Sequence, residues 1–425
     1  MDTPRGLRIL VVLPLYGGSL PVGRSCAAAL ADLGQVVEVF EAPDFYGAFS
    51  ALKTLRVTSD RLEYLENSFL QVVSQAVAAK VETFAPDLVL ALAQAPLSRQ
   101  VLKRLRRDGV ATAMWFVEDF RLFTYWEAFA PYYDLFAVIQ QEPLLEKLAA
   151  IGQPNGVYLP MAADPMVHRP LELTPVEVKR YGAPVSFMGA GYPNRRLAFR
   201  ELADFDLGIF GSDWDGDAVL APRVRLSGRR VTTEETVRIF NAAQVNLNLH
   251  SSVSAEAPVV PGDFVNPRTF ELAMCGAFQL VDRRTLLPEL FADEELAKFS
   301  SLPELRERLA YFLAHPEARA AFAQKARARA LAEHTYTRRM ETLLRFAAER
   351  LPGWPSRPRG EAALAGLPEN LAGEVGQLLE RLSLPADVAF DDLIWAVRAR
   401  QGELTPLETS LLFLDEWRKQ YGPRA

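Results

Sequence analysis

Residues 262–282 read GDFVNPRTFELAMCGAFQLVD, and their reading decides the architecture. Asn266 is a helix-capping residue type. Pro267 suits a first helical turn, where a backbone N–H has no internal partner to lose. Phe270, Ala273 and Met274 recur at helical spacing, and Gly276 is a natural stop. Residues 277–281 then form a short buried strand, so the stretch is a loop, a short helix and a strand. Such a helix start offers free N–H groups and a positive dipole end to an anion. Arg268 stands in the first turn and Glu271 one turn on, so both project near that start. Either they form an i,i+3 ion pair on a solvated helix, or Arg268 meets a phosphate and Glu271 a hydroxyl-bearing group. A nucleotide-sugar presents both chemistries.

Upstream, the same alternation repeats. Residues 8–15 (RILVVLPL) are a buried strand, followed by Gly17-Gly18 and a helix over 22–33, with a second strand at 35–40. This opens a doubly wound α/β domain, although the dinucleotide pattern GxGxxG is absent. Gly17 and Gly18 serve a tight turn or let the backbone approach a ligand. A long helix is expected over 59–85, a strand over 87–93, a basic-faced helix over 98–109 and a strand over 110–117. That last strand delivers Glu118 and Asp119 at its carboxyl end, where ligands of open α/β sheets bind. A carboxylate there acts as a general base, holds a hydroxyl or caps the following helix. Ten aromatics fall between Trp115 and Phe136, of the 43 in the chain. That density calls for a core, with one or two rings left for an acceptor cleft or a membrane surface.

Strands over 135–139 and 156–161 and a helix over 143–150 complete the first domain. Residues 162–175 (AADPMVHRPLELTP) are proline-rich and aperiodic, as in a linker, which makes His168 a surface or hinge residue. A second unit begins with a strand at 185–188, the turn Gly189-Ala190-Gly191, and a helix over 194–203 carrying Arg195 and Arg196 near its start. Strand, glycine turn and arginines either make a phosphate cradle or leave two solvated arginines on a helix, and the cradle is the expectation. Asp213, Asp215 and Asp217 (SDWDGD) are either a DxD pair for a metal–diphosphate or a surface loop; they lack the glycine position and closing glutamate of a calcium loop, so a surface loop without metal is expected. A helix over 233–242 and a strand over 244–249 place His250 at a strand's carboxyl end. Helices follow over 303–315, 317–334 and 335–351. A second linker spans 352–359, and three amphipathic helices over 371–382, 390–400 and 406–421 form a docking or oligomerisation module or a simple appendage.

Composition sets the class. The chain has 425 residues, 49% hydrophobic and 24% charged, enough for two or three domains with real cores. A net charge of −6 argues against a general nucleic-acid binder. The two cysteines, Cys26 and Cys275, fall inside expected helices, so buried packing and a cytoplasmic location are expected. No apolar run approaches the ~20 residues of a membrane span.

The run VNPRTFELAMCGAFQLVD strongly resembles the donor-site segment of GT-B glycosyltransferases, closest to the spore-maturation CgeB-like branch of group 1. SFMGAGYPNRR and LPMAADPMVHRP resemble that branch too, and the likeness spans about residues 8–350. It implies two Rossmann-like domains facing across a cleft: an acceptor domain over 1–165 and a donor domain over 176–335. The helix over 336–351 belongs to that two-domain core, and a helical tail of unknown role covers 360–425. It implies a nucleotide-diphosphate-sugar donor as substrate, no cofactor and no metal, and an unidentified acceptor that is a glycan, a protein or a small molecule. Glu271 matches the later acid of the family's paired-acid motif, which holds the donor ribose. Asp263 stands where the earlier glutamate is usual. The expected donor set is Gly189, Gly191, Asn194, Arg195, Arg196, Asn266, Arg268, Thr269 and Glu271. The catalytic candidates are Asp263, Glu118, Asp119 and His250, with Glu118 or Asp119 first as base should the enzyme invert. A nucleotide-sugar epimerase, or a non-catalytic sugar-nucleotide-binding assembly factor working through its helical tail, is the alternative.

Overall fold

Short apolar runs punctuated by glycine turns and amphipathic helices build two parallel sheets. The computed structural model describes residues 6–421 apart from 255, 356–362, 365 and 401. The expected linker at 352–359 therefore lies partly outside the described residues, as does the beginning of the expected tail. Contacts divide the chain into two units. The first comprises Met1–Val138, Pro143–Leu159 and Met340–Ala425, and the second Ile139–Glu142 and Pro160–Arg339.

The first unit contains β1 (Arg8–Val12), β2 (Val36–Phe40), β3 (Leu88–Leu92), β4 (Ala111–Phe116), β5 (Leu135–Val138) and β6 (Gly156–Tyr158). All pair in parallel in the order β2-β1-β3-β4-β5-β6. Every residue of β3 is buried, as expected for a strand covered on both faces. Most of the aromatic run packs into this core, including Trp115, Phe116, Trp126, Tyr133 and Phe136.

The second unit contains β7 (Ala183–Met188), β8 (Leu207–Phe210), β9 (Ala243–Asn248), β10 (Gln279–Asp282) and β11 (Ala297–Phe299). Their order is β11-β10-β9-β7-β8, again parallel. The three-residue β11 is too short to show a sequence period, and the reading of the chain missed it. The proline-rich segment 162–175 lies on this unit. Ala163 bridges to Thr335, and Leu171 donates its backbone N–H to Asn241 Oδ1 at 3.0 Å.

The C-terminal helices Glu369–Arg381 and Phe390–Ala399 are part of the first unit. Val375, Leu378, Leu393, Ile394 and Val397 share one apolar cluster with Val77, Val81 and Phe84. Trp395 donates to Glu38 at 2.9 Å and lies 4.9 Å, centroid to centroid, from Phe84. Lys80 sits 5.0 Å above the Trp395 ring. Among the described residues, no helix is long and apolar enough to cross a membrane.

Candidate functional site

The helix opening the quoted motif runs Pro267–Met274, with Asn266 as its cap. Asn266 Oδ1 accepts the Thr269 N–H at 3.1 Å, and its amide donates to Asn248 Oδ1 at 2.8 Å. Asn248 in turn donates to Thr269 Oγ1 at 2.9 Å and to Gln279 Oε1 at 3.0 Å. The Asn266 backbone N–H donates to His250 Nε2 at 2.9 Å. His250 Nδ1 lies 2.6 Å from Asp282 Oδ1. Because Nε2 accepts, the proton resides on Nδ1 and points at Asp282. Asp282 also pairs with Arg284. Polar side chains of β9 and β10 thus fasten the helix start at the carboxyl edge of the second sheet.

This arrangement corrects one expectation. His250 is 1% exposed and both its ring nitrogens are engaged. Burial, helped by the nearby Arg284 charge, lowers its pKa to about 4 against the pull of Asp282. It is a neutral strut that orients Asn266, with no nitrogen left to exchange a proton with a substrate.

Two arginines converge on the same edge. Arg195, on the helix Pro193–Arg200, is 5% exposed. It donates through Nε to the Leu249 carbonyl at 2.9 Å and through Nη1 to Ala190 at 3.0 Å. Its guanidinium also lies 5.0 Å from the Phe187 ring centre. Arg268 reaches back to β7, with Nη2 3.6 Å from Met188 Sδ. Its Nε is shielded from water and has no hydrogen-bond partner among the described residues. A Cβ at Gly189 would stand 3.3 Å from Arg268 Nη1, so the glycine turn lets the guanidinium close in. Burial and then the Arg268 charge bring the Arg195 pKa down to about 9, and burial lowers that of Arg268. The nearby Asp282 is already committed to His250 and Arg284. Two like charges in the first turns of two helices, Arg195 buried and Arg268 half-buried, favour an anion between them.

The chain crosses from β7 to β8 on one side and returns to β9 on the other. The arginines therefore stand at a topological switch point, the ligand-binding position of open α/β sheets. Arg268 and Glu271 make no direct ion pair among the described contacts, so the solvated i,i+3 pair does not form. Glu271 instead places Oε1 4.0 Å from His168 Nε2, with its side chain 20% exposed. His168 is buried, not the surface or hinge residue expected. Its Nδ1 accepts the Asp164 N–H at 3.2 Å, which leaves the Nε2 proton facing Glu271. Asp263 Oδ1 accepts from Gln140 Nε2 at 2.9 Å.

Other expected donor residues have their polar atoms bound to protein. Asn194 donates to the His250 carbonyl at 2.9 Å and accepts the Ser252 N–H at 2.8 Å, tying down the loop after β9. Thr269 is fully buried in the capping network. Arg196 donates to the carbonyls of Gly191 and Asp215, each at 3.0 Å, and to Asp213. Gly191 lets this loop pack, since a Cβ there would meet the Asp213 carbonyl at 2.0 Å. Asp217 turns inward to Arg200 at 2.8 Å.

In the first unit, Glu118 accepts from the Tyr125 hydroxyl at 2.8 Å and from the Gln94 amide. Burial raises its pKa against these two bonds. Asp119 Oδ1 accepts the Arg121 N–H at 2.9 Å within a turn, where a capped helix was expected. Gly17 adopts φ +108°, a turn geometry that favours glycine. Gly18 directly precedes the helix Ser19–Asp32.

Sequence reasoning passed over Asn248, Gln279, Asp282 and Arg284. The available signal was QVNLNL, a strand that buries asparagines at alternate positions and so demands partners for them.

Comparison with known proteins gives four matches. A family model described as glycosyl transferase-like matches residues 195–345. Spore protein CgeB of Bacillus subtilis (strain 168) is 24% identical over 261 residues, 56% of this chain and 76% of CgeB. Among solved structures, sucrose-phosphate synthase of Thermosynechococcus elongatus superposes with a TM-score of 0.56 at 13% identity, covering 81% of this chain and 99% of that one. HepE of Anabaena, solved with UDP and glucose, superposes with a TM-score of 0.54 at 12% identity, covering 81% and 100%.

Proposed function

We propose that this chain, a GT-B-fold protein of the CgeB-like type, transfers a glycosyl group from a nucleotide-diphosphate-sugar to an acceptor hydroxyl. The observation that carries the reading is a pair of guanidiniums, Arg195, buried near the start of the helix Pro193–Arg200, and Arg268, half-buried in the first turn of the helix Pro267–Met274. A diphosphate there satisfies both cations and meets the positive end of the helix dipole. Glu271, one turn on and partly exposed, accepts from the ribose hydroxyls. Asp263 stands at the sugar end, steadied by Gln140. The HepE structure, which holds UDP and glucose in the same fold, supports this choice of ligand.

In the reaction, the acceptor oxygen bonds to the anomeric carbon as the bond from that carbon to the diphosphate breaks. The electron pair of the broken bond departs with the nucleoside diphosphate, and the acceptor proton passes to a leaving-phosphate oxygen. The charge that develops most is on the diphosphate, and preorganised cations in a desolvated site stabilise it best. Arg195 is held by the carbonyls of Leu249 and Ala190, so its guanidinium needs no rearrangement as that charge grows.

A thermal-shift screen against UDP-, GDP-, ADP- and dTDP-sugars tests the reading. One donor class raises the melting temperature, and Glu271→Ala removes the rise. A panel that leaves the melting temperature unmoved would overturn it.

A further inference from the structure

The first unit carries a half-open cavity of about 340 Å³ that the donor site does not use. It lies past the carboxyl ends of β1 and β3, with Leu15 and Tyr16 on one side and residues 94–98 on the other. The chain leaves β1 for β2 on one flank and returns to β3 on the other. The cavity therefore occupies the topological switch point of the first sheet, where ligands of open α/β sheets bind.

Its lining is graded. Phe49, Leu97, Met114 and Tyr133 are buried and make an apolar floor. Asn67, Gln71 and Gln94 are exposed and make a polar mouth. None of the described lining residues carries a charge. An ion placed here would lose hydration with no counter-charge to replace it. Two of the polar groups further in, the Tyr125 hydroxyl and the Ser98 hydroxyl, are already bonded. The Tyr125 hydroxyl donates to Glu118 at 2.8 Å and accepts the Gln94 N–H at 3.0 Å. Ser98 Oγ accepts the Val101 N–H at 3.3 Å and lies 3.1 Å from Ser74 Oγ. A polyhydroxylated body pushed to the floor would leave its hydroxyls unpaired, at the full desolvation cost of each. Tyr125, Phe129 and Tyr133 instead offer ring surface, which another ring packs against in edge-to-face or offset geometry.

We infer that this cavity binds the acceptor, and that the acceptor is an uncharged aromatic alcohol. Its ring fills the apolar floor and its hydroxyl stays at the amide-bearing mouth. The acceptor role rests on the glycosyl-transfer reading; the ligand class rests on the cavity itself.

The test is calorimetric titration of the full chain with 2-naphthol, beside 2-naphthyl phosphate and glucose. Ala95→Trp and Leu70→Trp each fill the cavity, and the second, on a half-exposed helix face, carries the test if the first does not fold. Saturable naphthol binding is expected, weakened roughly tenfold or more by filling, with the phosphate ester and glucose far weaker. The inference is overturned if naphthol does not saturate, if it binds a folded filled variant unchanged, or if glucose or the phosphate ester binds as tightly. UDP, GDP, ADP and dTDP, each titrated into the same samples, separate the two claims. Naphthol binding with none of the four nucleotides bound leaves the cavity standing and overturns the transfer reading, whereas binding of one nucleotide without naphthol binding overturns the cavity alone.

Discussion

Asn266 donates its backbone N–H to Nε2 of His250 at 2.9 Å, so a residue just past the end of β9 fixes the cap of the helix bearing Arg268. The imidazole can accept that bond only while it is neutral. This ties the geometry of the anion site to a protonation state.

A pH dependence follows. His334 is a second buried neutral histidine, bonded to the Leu290 carbonyl at 2.8 Å and lying 2.9 Å from Arg339. Burial lowers both pKa values to about 4. Each folded-state value lies below that of an unfolded histidine, about 6.5. The stabilisation is therefore complete above about pH 6.5 and is lost as pH falls toward 4, because only the unfolded chain takes up the protons. The slope is about 1.4 kcal/mol per pH unit for each histidine. Carboxylates titrate mostly below this window. Denaturant unfolding from pH 7 to 5 should show stability falling, and His334→Gln should flatten part of the slope. Constant stability over that range would contradict the assignment.

Gly191→Ala tests the loop packing beneath the arginines. The added Cβ would stand 2.0 Å from the Asp213 carbonyl, a contact that backbone alone can relieve. A loss of about 1–3 kcal/mol is expected, together with weaker nucleotide binding, since Arg196 ties this loop to residues 213–215. Equilibrium unfolding and nucleotide titration check the two parts separately.

Trp395→Ala tests the place of the C-terminal helices. Trp395 packs on Phe84 and Lys80 and bonds Glu38, so its truncation should destabilise the first unit by about 3 kcal/mol. A removable docking module would lose nothing, and calorimetry distinguishes the two.

What the sequence revealed and what it concealed divide along physical lines. Residues 8–15 and 87–93 showed their strands because an unbroken apolar run bounded by turns has few other uses. Asn266 and Pro267 showed the helix start because capping is local chemistry. Arg268 and Glu271 were legible because helical geometry fixes their spacing. Hidden were the partners brought in from far along the chain, such as Asp282 for His250 and His168 for Glu271. The packing of the C-terminal helices on Phe84 was hidden for the same reason, since an amphipathic helix shows that it has an apolar face without showing what covers it. His250 misled because a histidine at a strand's carboxyl edge reads as reactive until both its nitrogens are seen to be engaged.

The arginine pair is tested most directly by nucleotide titration of Arg268→Gln. The guanidinium buries an Nε with no partner among the described residues and lies against a second cation. Replacing it should leave the melting temperature of the free protein unchanged or raised. Affinity for the nucleoside diphosphate should fall about 100-fold, the scale of a lost charge-assisted bond at about 1.5–3 kcal/mol. Unchanged affinity in a folded Arg268→Gln protein would contradict the account.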